Sequence, residues 1–194
     1  MLKAGLSGGI GSGKTTVSKV FQTLGIPVFY ADNVVKELYN TNEGLHKAMI
    51  ALLGPSIYKD GKLQTKELAA LIFNDKQLLQ QVNALTHPLV EEAFNTWAKQ
   101  QDAPYVLLEA AVLFESGIAA KMDLTISISA PESLRMQRVI QRDCCTKEQV
   151  MQRMAEQWSD EQRNGKANFV IVNDEKEALL PQILAIHEKI LNRI

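Results

Sequence analysis

The sequence is short of cysteine and has no excess of charge of either sign, and both shortages narrow what it can be. Its two cysteines in 194 residues are neighbours, Cys144 and Cys145, flanked by Arg142, Asp143 and Thr146. Adjacent thiols supply neither the spaced pairs of a disulfide framework nor the ligand spacing of a zinc site, so they read as free thiols of a reducing compartment. Twenty-one Lys plus Arg stand against 22 Asp plus Glu, a formal net charge of -1. That balance provides no global positive field for DNA or RNA, and nucleic acid is not an expected partner. Long apolar runs are missing too: none approaches the roughly 18 residues of a membrane span. The opening Met-Leu-Lys-Ala-Gly-Leu-Ser runs directly into a glycine-rich segment with no apolar leader before it. A cytoplasmic protein without membrane attachment is the expectation, as a monomer or weak oligomer. Repeats, linkers and low-complexity tracts are absent as well.

What is present is ordinary for one compact α/β domain: 46% hydrophobic and 22% charged residues. Five short apolar runs read as strands, at Leu2 to Ser7, Ile26 to Tyr30, Tyr105 to Leu108, Leu124 to Ser129 and Phe169 to Val172. Between the first two, Val17, Val20, Phe21 and Leu24 share one helix face, and Gly25 stands where a left-handed residue ends that helix. Asp32 occupies an N-cap position for the next helix. From about 41 to 101 the pattern is helical, with breaks at Gly54-Pro55 and Lys59-Asp60-Gly61, a bend at His87-Pro88 and no convincing strand. Two charged helices follow the fourth strand, Glu132 to Arg142 and Lys147 to Gln157, the second opened by Thr146 with Glu148 and Gln149 as capping partners. A last helix carries Leu180, Ile183, Leu184, Ile190 and Leu191 and is expected to bend or restart at Pro181. Strands alternating with helices predict a mostly parallel sheet covered on both faces, with ligands gathered at the carboxyl ends of the strands.

Gly8-Gly9-Ile10-Gly11-Ser12-Gly13-Lys14-Thr15 satisfies G-x-x-x-x-G-K-[ST] and lies between a strand and a helix. Gly8, Gly9, Gly11 and Gly13 let the backbone turn its N–H groups inward, and the following helix adds its positive end, so polyphosphate is the natural guest. Lys14 is placed to reach the β- and γ-phosphates. The Thr15 hydroxyl is placed to ligate the Mg²⁺ that bridges them, and Ser12 and Thr16 complete the cradle. A bare glycine turn with a solvated lysine is the bland alternative, and the strand and helix on either side argue against it.

The remaining candidates stand at other strand ends. Asp32 is either a general base for an acceptor hydroxyl or only a helix cap. Glu109, ending the third strand, is either a Walker-B acid acting on Mg²⁺ through water or a plain buried terminus. Arg138 and Arg142, four apart, share a helix face with Arg135 and either clamp the transferring phosphoryl or form a solvated face. His87 taken alone reads as structural more readily than as a ligand.

Together these stretches resemble the dephospho-CoA kinases, P-loop kinases of the nucleoside-monophosphate-kinase-like fold. The resemblance rests on Leu6 to Val17, on Gly25-Ile26-Pro27-Val28 leading to Ala31-Asp32, on His87-Pro88-Leu89-Val90 and on Leu113-Phe114-Glu115. It continues through Gln137-Arg138, Arg142-Asp143, Arg153 and Gln157. It implies ATP and dephospho-CoA as substrates, with Mg²⁺, and a five-stranded P-loop domain over 1–194. Within that domain, a helical insertion at about 41–101 holds the CoA moiety and a lid at about 131–165 covers ATP. It also implies Asp32 as catalytic base beside Lys14 and Arg142, and Asp32, Lys36, His87 and Glu115 on the substrate side. The chain departs from the family pattern at Tyr30 and Lys36, where Asp and Arg are usual. It departs again at Glu109-Ala110-Ala111 for Asp-Val-Pro and at Asn168 for Asp. A kinase for another nucleoside or nucleotide, and a nucleotide-operated switch ATPase, are the alternatives.

Overall fold

A computed structural model describes residues 1–73 and 75–194. Along the chain come β1 (Leu2–Gly8), α1 (Lys14–Thr23), β2 (Val28–Tyr30), α2 (Ala31–Thr41), α3 (Glu43–Leu53), β3 (Tyr58–Lys59), β4 (Lys62–Leu63), α4 (Thr65–Phe73) and α5 (Lys76–Lys99). They are followed by β5 (Tyr105–Glu109), β6 (Leu124–Ser129), α6 (Glu132–Asp143), α7 (Lys147–Ala155), α8 (Asp160–Asn164), β7 (Phe169–Val172) and α9 (Leu179–Leu191). The elements divide between two compact units, one made of Met1–Tyr30 with Gln100–Ile194 and the other of Ala31–Lys99.

In the first unit all five expected strands pair, in the order β2-β5-β1-β6-β7, and every pairing is parallel. Strand residues alternate between faces. Ala4, Leu6, Leu107, Ile126, Ile128 and Ile171 pack with Val17 and Phe21 of α1 and with Ile183, Ile186 and Ile190 of α9. Truncating a fully buried aromatic such as Phe21 costs about 3–5 kcal/mol, so this layer sets the stability of the unit. The alternate positions Ser7, Thr125 and Ser127 are equally buried but polar. Ser127 Oγ donates to Asn164 Oδ1 of α8 at 2.7 Å, so β6 is met on this side by a hydrogen-bonding group. Asn168, just before β7, accepts on Oδ1 from Thr125 N at 2.7 Å and from Thr125 Oγ1 at 3.2 Å.

Helix ends follow local rules. Gly25 has φ 82°, its N–H bonds Gln22 O, and Ile26 N–H bonds Phe21 O, which together close α1 in a Schellman motif. Thr146 and Gln149 form the expected capping box of α7. Pro181 neither bends nor restarts α9: it lies in the first turn, where the missing N–H has no intrahelical partner to lose.

The second unit gathers Tyr39, Leu45, Met49, Ile57, Leu63, Leu68 and Val82 in its own core. The expectation of no strand there is corrected, because β3 and β4 pair antiparallel with Tyr58 opposite Leu63 and Lys59 opposite Lys62. Asp60 and Gly61, read from the sequence as a helix break, both have positive φ (51° and 72°) and form the two-residue turn of this hairpin. Leu63 N–H donates to Asn40 Oδ1 at 3.0 Å and ties the hairpin to α2. The chain does not leave the helix at His87-Pro88: α5 is one helix through Pro88. Burial of Val82, Thr86, Val90, Phe94 and Ala98 along one stripe outweighs the roughly 3 kcal/mol of an interior proline. Asp32 is not an N-cap either: α2 starts at Ala31, directly after β2, and Asp32 lies exposed in its first turn. Among the described residues, no helix is long and apolar enough to cross a membrane.

Candidate functional site

The glycine-rich loop leaves β1 at Gly8 and becomes α1 at Lys14. Gly13 is the N-cap residue of α1, with φ 99° and no side-chain cap. The first N–H groups of the helix are therefore left to whatever occupies the loop, as an anion site requires. Only glycine fits at position 13, since a Cβ there would collide with Asn173 Nδ2 as well as demand a left-handed backbone. Inside the loop Ser12 N–H bonds Gly9 O at 3.0 Å, and Lys14 Nζ reaches back to Gly8 O at 2.9 Å. Thr15 and Thr16 are exposed at the helix start.

Three side chains from later in the chain hold the loop from outside. Asn173, just after β7, donates from Nδ2 to Ser12 O at 2.8 Å. Gln157, beyond α7, accepts from Ile10 N–H at 2.7 Å. Arg138 of α6 donates to Gly11 O at 3.4 Å, to Asn173 O at 3.3 Å and to Glu175 Oε1 at 3.0 Å. Arg138 is thus beside the loop, whereas Arg142 is not brought to it. The Arg142 side chain is 62% exposed and grips Asp143 from Nε at 2.7 Å and Nη2 at 3.1 Å. Hydrogen bonding to Asp143 raises the Arg142 pKa further, and the same bond, with Arg153 on the other side, holds the Asp143 carboxyl below its ordinary range.

Beneath this layer lies a charged cluster that the sequence did not announce. Arg163 of α8 is completely buried, donating to Trp158 O and to Asp160 Oδ1, with Glu115 Oε1 at 3.8 Å. Asp160 Oδ2 accepts from Ser129 Oγ and Ala130 N–H, each at 3.0 Å. Glu115, a substrate-side candidate, receives Trp158 N–H on Oε1 at 2.8 Å, while its buried Oε2 has no hydrogen-bond partner among the described residues. Arg135 is buried beside Gly9. The serines alternating with isoleucines in Ile126-Ser127-Ile128-Ser129 were the available signal, since serines inside a buried strand imply a polar layer against them.

Glu109 is buried at the end of β5, in register with Leu6 of β1 and Tyr30 of β2. The Tyr30 phenol is pushed up by burial and by the Glu109 charge. Its hydroxyl donates to Gln22 Oε1 at 3.2 Å. The other candidates belong to the second unit: Asp32 and Lys36 are exposed four apart on α2, hence on one face, and His87 is half-buried in α5. Among the described residues, no group of three or more His, Cys, Asp or Glu side chains is placed to hold a metal ion.

Comparison with known proteins agrees along the whole chain. The dephospho-CoA kinase family model matches residues 2–178. A dephospho-CoA kinase of Bacteroides fragilis is 38% identical over 186 residues, 95% of this chain and 91% of that protein. One of Porphyromonas gingivalis is 36% identical over 191 residues, 98% of this chain and 95% of that protein. A solved structure from Thermus thermophilus superposes with a TM-score of 0.85 at 28% identity, covering 100% of this chain and 97% of that one. A phosphate loop on a parallel sheet would fit many kinases, but a match of this length is specific, and the chain belongs to the dephospho-CoA kinase family.

Proposed function

We propose that this chain transfers the terminal phosphate of ATP to the ribose 3'-hydroxyl of 3'-dephospho-CoA, giving coenzyme A and ADP, the last step of coenzyme A synthesis. The observation that carries the reading is the loop from Gly8 to Thr15, whose helix lacks a side-chain cap, in a chain of this family. Loop N–H groups and Lys14 bind the polyphosphate and orient it for in-line transfer. The Thr15 hydroxyl and, through water, the Glu109 carboxylate are hard oxygen donors of the kind Mg²⁺ takes. Mg²⁺ bound with ATP would neutralise charge on the β- and γ-phosphate oxygens.

In this reading Asp32 takes the proton of the 3'-hydroxyl, as an exposed carboxylate with no capping duty is free to do. Lys36 and His87, with the Ala31–Lys99 unit, hold the CoA moiety. Glu115 would meet substrate through its unpartnered Oε2. The segment at about 131–165 closes over ATP, excluding water, with Arg138 already against the loop and Arg142 recruited from Asp143. The test is purified protein with ATP, Mg²⁺ and dephospho-CoA, followed by mass spectrometry for coenzyme A. ADP appearing without coenzyme A would transfer the reading to hydrolysis, and phosphorylation only of other nucleosides or nucleotides would move the acceptor.

A further inference from the structure

The Arg135 side chain is only 9% exposed, yet its guanidinium makes no hydrogen bond among the described residues. Its one ionic neighbour is Asp160 Oδ1 at 3.9 Å, too far for a hydrogen bond. Asp160 is already engaged elsewhere, with Oδ1 accepting from Arg163 and Oδ2 from Ser129 and Ala130. Nε of Arg135 is buried without a partner. A permanent charge on a nearly buried side chain, with Nε cut off from water and no hydrogen bond made by the guanidinium, is an expensive arrangement that native proteins keep where something else completes it.

The position says what completes it. Any Cβ on Gly9 would collide with Arg135 Nη1, so the guanidinium lies directly against the backbone of the phosphate loop. The Arg135 carbonyl packs equally closely on Gly11, which fixes this turn of α6 to the loop. The missing partner is therefore an anion held by that loop. Lys14 and the start of α1 take the β- and γ-phosphates of a nucleotide, and the Arg135 guanidinium faces the same loop at Gly9. We propose that Arg135 is a phosphate-contacting residue of the nucleotide site, donating to an oxygen of the terminal phosphate of a bound nucleoside triphosphate. This rests on the nucleotide reading above and deepens it: Arg135 is set against the loop in the free protein, while Arg142 has to leave Asp143.

The test compares wild type with Arg135→Met, which keeps the length and apolar stem but removes the donors. Affinities for a non-hydrolysable ATP analogue and for ADP are measured by calorimetry, and the thermal midpoint without nucleotide is recorded. Losing a charge-assisted hydrogen bond weakens the triphosphate by roughly ten- to a hundredfold. ADP affinity should change by less than about threefold and the midpoint should hold or rise, because an unsatisfied buried charge has been removed. Arg135→Lys, with charge but no fork, should fall between. Equal losses for the two nucleotides, or a lowered midpoint with triphosphate preference unchanged, would overturn the assignment and leave Arg135 a packing residue. A wild-type protein that binds neither nucleotide would overturn the nucleotide reading itself, and this proposal with it.

Discussion

Gln157 accepts the Ile10 N–H at 2.7 Å and donates to Ala111 O at 3.4 Å, so one amide fastens the segment after α7 to both the phosphate loop and the loop after β5. The first bond is short and the second long, which makes the acceptor side the one that matters. Gln157→Ala leaves the Ile10 N–H without its partner in a half-buried setting. The expected loss is about 1 kcal/mol of stability with several-fold weaker ATP binding, read by thermal denaturation and calorimetry. Gln157→Glu keeps the acceptor and should retain most of both.

Two glycines separate packing from backbone strain. Gly9→Ala forces a Cβ into Arg135 Nη1, so the Arg135 guanidinium must leave its place against the loop and ATP binding should fall at least tenfold. Gly25→Ala meets nothing within 4 Å but must hold φ 82°. It should cost about 1–2 kcal/mol of stability while turnover per folded molecule stays the same. Denaturant titration with steady-state kinetics on both variants separates the two effects, and a stability loss at Gly9 with normal ATP affinity would refute the account of the loop.

The strands, the phosphate loop and the Schellman turn after α1 were legible because each rests on local rules. Leu124 to Ser129 shows its burial as an apolar run, and Gly25 shows a left-handed position. The β3–β4 hairpin was not legible as strand, because two residues on each side are too few to display alternation, although Asp60-Gly61 is itself a hairpin signal. Asp32 misled as a cap because β2 passes into α2 with no intervening residue. Arg163 sits in a five-residue helix of polar residues and reads as solvated. Its burial is a property of the sheet's polar face, which brings Ser129, Ala130 and Asp160 together from separate parts of the chain.

Burial drives the Tyr39 hydroxyl pKa up to about 12, with the Thr86 hydrogen bond opposing and Tyr58 adding slightly. Unfolding returns it to about 10. The folded state therefore keeps a proton that the unfolded state releases between these values. Stability from this group is complete below pH 10 and is lost as pH rises toward 12, on the order of 2 kcal/mol. Denaturation midpoints from pH 9 to 12 should fall for wild type and less steeply for Tyr39→Phe. Parallel slopes would show that Tyr39 ionises freely.

Arg142 has a resting partner, Asp143, and its side chain is largely exposed. If lid closure transfers it to the phosphoryl group, its contribution appears in the transition state and not in ground-state ATP binding. Arg142→Lys should reduce kcat by roughly 10³ or more, the range of arginine fingers, with ATP affinity altered less than about threefold. Stability should hardly move, since an exposed ion pair contributes at most about 1 kcal/mol. Equal losses in kcat and affinity would assign Arg142 to ground-state binding.

Asp32 carries the step from binding to chemistry. It stands exposed in the first turn of α2, two residues past the end of β2, and makes no cap for the helix it sits in. Its structural contribution is therefore limited to a carboxylate near a positive helix end, about 0.3–1 kcal/mol. A general base for the acceptor hydroxyl contributes roughly 10² to 10⁴ in rate, well separated from that. Asp32→Asn preserves the size and one acceptor oxygen but removes the charge and the basicity. Turnover should fall by at least a hundredfold, while ATP affinity remains near wild type and the thermal midpoint drops by no more than a few degrees. The three quantities are measured on one preparation, so misfolding cannot pass for lost chemistry. Near-normal turnover in Asp32→Asn would remove the base from α2, and the Glu109 carboxylate at the end of β5 would be the next residue to substitute.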